Sequence, residues 1–558
     1  MYRLREKMVY TAMSMLAFAF TTAAFATRSA AEIPAQYAKA VPNDAVVTGF
    51  IPDTQAFWGS FAKTLKVTMA EFESDPPPNL FFMQLGELAN TKQKLSARTP
   101  VMFWVNKLPL PDGPGAPPPG DPVWGMAFKL AGATAANTTA KTSSGMDLHF
   151  ANGLVIATSK GSGYKTADVG TNKLTASIPA SPFGCAIAGS VFKQIAATAK
   201  PMMGMGPMMM QGSLSDMTES LAKKDREAAQ RVMQTAIGDV MNMANGAVES
   251  FEKIKVATVD VDPGSFILNL NFKIDGAVAP DHGVGSNIVK SLAAGNAMYY
   301  AIDEPTLAWM TKMEADMIAA ALAMSGTPMD KVKGLAGLGP AMSSVLKEMQ
   351  GGIAGGIRSD LHEDDFLIGT RNPAGLMKSM GSLMTDVNGL DIGLGYQKVS
   401  AERWNLDMNL MKLFGGAAGN PEMSKAMKTL PKKYELFMKP GDDMLTGMRR
   451  VAGSKAKKTA GSPTNLADFK RHADSRIIFG IGFDITEMAE GMKSLGQAMS
   501  NAAGQPGSWP DTGDEPAPFT LIFHAPAEDE LAMFFRVPSA PMAEQIKAQL
   551  KQQGNKGS

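Results

Sequence analysis

The chain has 558 residues, 45% hydrophobic and 19% charged, which leaves room for a core and excludes a disordered or fibrous class. Its formal net charge of +1 gives no electrostatic footprint for nucleic acid, so no nucleic-acid partner is expected. Cys185 is the single cysteine and can form no intrachain disulfide, so the fold must rest on packing; in an apolar stretch it reads as a small buried hydrophobe.

At the N-terminus Arg3, Arg5 and Lys7 precede an apolar run from Met8 to Phe20, and Ala24-Phe25-Ala26 supplies a small-x-small cleavage site. That order predicts a secretory signal peptide over residues 1–26 and an exported protein, periplasmic or extracellular. No second apolar run reaches the ~18 residues needed for a helical span, so no transmembrane segment is expected after cleavage.

The mature chain opens with an apolar strand, Val46–Ile51, followed by Asp53 or Thr54 as helix cap and a helix through Phe57, Phe61 and Leu65. The same strand, cap and helix order returns at Phe183–Ala188 with Ser190, at Met298–Ile302 with Asp303, and at Ile477–Phe483 with Asp484. Hairpins follow. Val101/Phe103/Val105 pairs with Trp124/Met126/Phe128, and Ile254-Lys255-Val256 leads to the alternating run Phe266, Leu268, Leu270, Phe272, Ile274. Ile392/Leu394/Tyr396 with Trp404/Leu406/Met408, and Phe519/Leu521/Phe523 with Leu531/Met533/Phe535, keep the same spacing. The expected fold is therefore α+β: β-α-β-β units near 41–131, 178–276, 292–413 and 473–538, antiparallel sheets with helices packed on one face, and two halves, 27–290 and 291–558. Further strands fit around Asn152-Gly153 and at Phe366–Thr370; Lys200–Gly212, Gly351–Gly356 and Gly453–Pro463 read as linkers.

Pro42-Asn43-Asp44-Ala45, the strand Val46–Ile51 and Asp53 together resemble bacterial extracytoplasmic proteins of unknown function built on repeats that begin Pro-x-Asp-Ala, strand, Asp, helix. That resemblance covers about a fifth of the chain and implies no activity and no site.

Chemical motifs are sparse. Met202, Met203, Met205, Met208, Met209 and Met210 crowd the segment Lys200–Gly212. Soft thioethers can hold Cu(I), but no His or Cys stands among them, and with 42 methionines in the chain Met is also its ordinary gap filler. A linker, an oily lid or partner contact, and a copper site all remain open. Among His149, His282, His362, His472 and His524 none stand at metal-ligand spacing, and His362-Glu363-Asp364-Asp365 reads as a solvated acidic turn. Asp260-Val261-Asp262-Pro263-Gly264 opens like a calcium loop but has Asn271 at the twelfth position. Gly480-Ile481-Gly482 lacks the third glycine of a dinucleotide turn, and the basic run Arg449, Arg450, Lys455, Lys457, Lys458 reads as a solvated loop. The sequence assigns no catalytic residue, metal or cofactor. It favours an exported non-catalytic structural or binding protein of the cell envelope, with another envelope protein or an apolar ligand as partner; an exported hydrolase-like enzyme with dispersed residues is the alternative. N-terminal sequencing of the mature protein should begin at Thr27, or a few residues later, after Ala30-Ala31; an intact Met1 on a cytoplasmic protein would overturn the export reading.

Overall fold

The computed structural model describes residues 32–65, 99–108, 121–129, 146–165, 172–201, 223–276, 283–313, 338–359, 363–390, 393–409, 431–454, 461–488 and 516–538. The signal segment and the methionine run 202–210 lie outside them. The described chain contains eighteen strands with several helices, and every strand pairing within the two units described below is antiparallel. Two compact units divide the chain: residues 1–199, 248–278 and 529–558, and residues 200–247 and 279–528.

In the first unit helix α1 (Ala35–Ala38) precedes β1 (Val47–Ile51), and α2 (Thr54–Leu65) follows it. Asp53 begins α2 by accepting the backbone N–H of Ala56 at 2.8 Å, which satisfies a first-turn donor. Then come β2 (Val101–Lys107), β3 (Val123–Phe128), β4 (Met146–Ala151), β5 (Leu154–Ser159) and β6 (Phe183–Ala188). After the long helix α3 (Lys223–Glu252) the chain forms β7 (Ile254–Asp262) and β8 (Ile267–Ile274). Pairing sets the order β4-β5-β3-β2-β1-β6-β7-β8. The β4–β5 turn is Asn152-Gly153, both at positive φ, as a tight two-residue hairpin requires.

In the second unit α4 (Ser286–Lys290) precedes β9 (Met298–Ile302). Helix α5 (Gly339–Glu348) leads into β10 (Met349–Ile357) and β11 (Glu363–Thr370), and α6 (Pro373–Gly389) into β12 (Leu394–Ser400) and β13 (Arg403–Met408). Next are β14 (Lys433–Pro440), β15 (Met444–Val451), α7 (Pro463–Arg471), β16 (Ile477–Asp484) and β17 (Pro518–Ala527). Their order is β12-β13-β14-β15-β11-β10-β9-β16-β17. The last strand, β18 (Glu530–Arg536), belongs to the first unit, where it pairs with β8.

These ladders correct the expected fold. The strands are not laid out as separate β-α-β-β sheets with helices on one face; the opening strands of successive predicted units pair with each other, β1 with β6 and β9 with β16, and fuse them into broad antiparallel sheets. Helices cover both faces. In the first unit Tyr37 of α1 packs with Phe50, Met102 and Trp104, whereas Phe57 of α2 packs on the opposite face with Phe183, Cys185 and Val259. In the second, Leu376 and Met384 of α6 join Ile368, Trp404 and Met438, while Phe469 of α7 meets Tyr299 on the other face, 6.3 Å between ring centroids. A strand buried on both faces does not alternate between oily and wet: Leu268 and Asn269 are both buried, and Phe266 belongs to the turn at φ 46°. Gly351–Gly356, read as a linker, lies within β10, and Arg449 and Arg450, read as loop, lie within β15.

The two orders match strand for strand: β4-β5-β3-β2-β1-β6-β7 in one unit corresponds to β14-β15-β11-β10-β9-β16-β17 in the other. The hairpin β12–β13 is an addition beyond β14 at the sheet edge. That edge is closed by a side chain. The amide of Asn388 in α6 accepts from the Tyr396 N–H at 2.6 Å and donates to its carbonyl at 2.7 Å, imitating one residue of a neighbouring strand.

Close packing inside the sheets depends on rings lying across glycines. Gly49 of β1 faces Phe103 of β2, and a Cβ at Gly49 would stand 2.0 Å from the Phe103 ring. Gly49→Ala should therefore destabilise the protein by about 1–3 kcal/mol through overpacking. Gly59→Ala, in α2 with open space around it, should instead gain about 0.5–1 kcal/mol from helix propensity. Urea unfolding of the two variants reads both; a neutral Gly49→Ala would overturn the packing argument.

Candidate functional site

On the apolar face of the second unit that α6 covers, five strands bring polar side chains around one ion pair. Asp364 of β11 sits opposite Arg449 of β15 in the ladder, and Arg449 Nε donates to Asp364 Oδ1 at 2.8 Å. The Arg449 guanidinium also lies 5.0 Å from the ring centroid of Tyr434 on β14, within cation–π range. Tyr300 of β9 and Tyr396 of β12 feel the same guanidinium electrostatically. Each grows from a strand three places from β15, roughly 14 Å away at the usual strand spacing, so their rings must lean inward to reach it. Tyr300 can lean because its ladder partner is Gly355: a Cβ there would stand 2.6 Å from the Tyr300 hydroxyl.

Burial pushes the Asp364 carboxyl above the usual carboxylate range, and Arg449 opposes that rise. Burial also raises the phenols of Tyr300, Tyr396 and Tyr434, keeping them neutral donors at physiological pH. Among the described residues the three hydroxyls have no hydrogen-bond partner. Tyr164 and Tyr299 do have partners: Tyr164 donates to the Ala40 carbonyl at 3.2 Å and Tyr299 to the Ala293 carbonyl at 3.1 Å, whereas the buried Tyr37 hydroxyl also has none. The charges on the reverse face are committed to the fold. Asp365 accepts from Asn296 at 2.7 Å, Arg358 pairs with Glu363 at 2.8 Å, and Glu435 is shared by Arg403 and Arg450.

A second polar group lies between α7 and β17. Asn465, Asp468 and His472 fall on one side of the helix and face Thr520, Ile522 and His524, alternate residues of the strand. Thr520 donates to Asp468 at 2.9 Å and Asn465 donates to Thr520 at 2.7 Å; the rings of His472 and His524 are 4.4 Å apart. All of these side chains are buried. The layer ties helix to sheet, and no third metal-ligand side chain joins the two imidazoles among the described residues.

Of the residues singled out in the sequence, the six methionines 202, 203, 205, 208, 209 and 210, with the copper and lid readings attached to them, lie outside the described residues. His362 does as well. Glu363, Asp364 and Asp365 are strand residues, half-buried and paired, where the sequence suggested a solvated turn. Cys185 is buried in β6, and burial pushes its thiol up to about 12, which removes it as a nucleophile. The tyrosine group went unread because its members are scattered from residue 300 to residue 449. The available signal was Tyr434-Glu435-Leu436-Phe437-Met438, a period-two run ending in the same hairpin as Arg449. No helix among the described residues is long and apolar enough to cross a membrane. No protein-family model matches the chain, and no curated protein or solved structure matches it.

Burial lowers the two histidines, His472 to about 4 with help from Arg471, and His524 to about 3 with help from His472. Because the folded values lie below the unfolded 6.5, the neutral pair contributes its full stability above pH 6.5 and loses it as pH falls towards 4 and 3. Each histidine should cost up to about 1.4 kcal/mol per pH unit within that window. Asp364 and Asp365 act with the opposite sign, since protonation relieves their burial. Comparison of urea unfolding at pH 7.5 and 5 with a His472→Gln/His524→Gln variant isolates the pair. The variant should show the shallower fall, and equal slopes would refute the assignment.

Proposed function

We propose that the chain is an exported, non-catalytic binding protein of the bacterial cell envelope, and that its ligand meets the face formed by Tyr300, Tyr396 and Tyr434 around Asp364 and Arg449. The observation that carries the reading is the set of three phenol hydroxyls with no hydrogen-bond partner among the described residues, gathered around the Asp364–Arg449 ion pair, while Asp365 and Glu435 on the reverse face are tied into the fold. Tyr434 is buried and Tyr300 and Tyr396 are half-buried, and polar groups held so and unbonded are costly unless water or a ligand satisfies them. Rigid strands hold all three hydroxyls, as a preorganised recognition surface requires. Asp364 is engaged by Arg449, an arrangement that positions a ligand and leaves no free general base. Export is supported by the order of Arg3, Arg5, Lys7, the Met8–Phe20 run and Ala24-Phe25-Ala26.

Sedimentation of the mature protein with washed envelope fragments from its own source tests the reading. Wild type should co-sediment, and Tyr300→Phe/Tyr396→Phe/Tyr434→Phe, which keeps the rings, should do so at least fivefold less. Equal sedimentation of the two, with unchanged unfolding midpoints, would sink the assignment of this face.

A further inference from the structure

The groups on the tyrosine face also specify a class of ligand, an inference that rests on the binding reading above. The fixed charges at the centre cancel: Asp364 and Arg449 form one ion pair, whose side chains remain 17% and 33% exposed. An anion would approach Arg449 only against Asp364, and a cation would approach Asp364 only against Arg449, so neither gains net attraction. What the site offers instead is a mixture of donors and acceptors. Each phenol can donate one hydrogen bond and accept another, the guanidinium retains N–H groups beyond the one given to Asp364 Oδ1, and the carboxylate retains an oxygen.

Alcohol hydroxyls have the same double character. A neutral ligand dense in hydroxyls can therefore satisfy this array whichever way each phenol turns. A simple apolar ligand would leave the three phenols, the guanidinium and the carboxylate unsatisfied. The rings offer little free stacking surface, since buried Tyr434 is covered by the Arg449 guanidinium and the Tyr300 ring edge and hydroxyl lie against Gly355. Recognition therefore falls on hydrogen bonds to the phenol oxygens and the ion-pair edges, the mode suited to an oligosaccharide. We infer that the face formed by Tyr300, Asp364, Tyr396, Tyr434 and Arg449 binds a neutral glycan.

Calorimetric titration of the mature protein with four probes tests this: a neutral N-acetylglucosamine tetramer, a neutral glucose tetramer, an anionic galacturonate tetramer, and a blocked tetra-alanine peptide. Saturable binding to at least one neutral glycan is expected, at least tenfold tighter than to the galacturonate or the peptide. The Tyr300→Phe/Tyr396→Phe/Tyr434→Phe variant should lose at least tenfold, and Asp364→Asn alone should turn preference towards the anionic tetramer. Glycan binding that survives the triple change, or tighter binding of the peptide or galacturonate by wild type, would overturn the inference. If no glycan binds while envelope sedimentation still depends on the tyrosines, the ligand class fails and the binding reading stands. If sedimentation is also indifferent to them, both fail.

Discussion

The sheets of this protein depend on aromatic rings lying flat across the neighbouring strand, and such a ring fits only where the facing residue has no Cβ. In the first unit the ring belongs to Phe103 on β2 and the gap to Gly49 on β1. In the second unit the corresponding pair is Tyr300 on β9 and Gly355 on β10, with the roles exchanged. The next strands repeat the arrangement: Phe366 of β11 lies over Gly447 of β15, where a Cβ would stand 2.0 Å from the ring. Cross-strand packing of this kind is how glycine, a poor strand former, is accommodated in a sheet interior. It also aims Tyr300 along the sheet towards Asp364, so the same contact that closes the core helps to shape the candidate site.

That dependence explains what could and could not be read from the chain. Where side chains themselves fill a face, period-two patterns show through, as in Val101/Phe103/Val105 and Phe519/Leu521/Phe523. Strand β10 has four glycines among its nine residues, because its neighbours fill the space, and so it reads as a linker. With β10 hidden, the added hairpin β12–β13 takes its place in the apparent repeat and the architecture is misjudged. Strands β14 and β15 were obscured by Arg449 and Arg450, long cations whose heads pair with Asp364 and Glu435 and lie over Tyr434 and Phe437. The site was invisible for a related reason. Its residues come from five strands that neighbour one another only after β15 pairs with β11 and not merely with its hairpin partner β14.

The layer between α7 and β17 shows the other use of polar groups in this fold. Asn465, Asp468 and Thr520 satisfy one another, so their burial costs little beyond desolvation, and their directional bonds hold the helix at one position along the strand. His472 and His524 extend the layer as neutral rings. The tyrosine face has the contrary character, with phenol hydroxyls that have no hydrogen-bond partner among the described residues. One region converts polarity into rigidity, and the other, on the binding reading proposed above, keeps it for recognition.

The exchange of ring and glycine between the two units bears on how a doubled chain avoids confusing its halves. Strands with matching topology invite cross-pairing while the chain is still collapsing, and hydrophobic patterning alone would permit it. Here β1 laid against β10 would set Gly49 beside Gly355 and leave a hole. Strand β9 laid against β2 would drive Tyr300 into Phe103. Both errors are penalised at one ladder position, by a void in one case and a collision in the other. The reversed pair thus acts as a lock and key for chain assembly, distinguishing two halves that share a blueprint.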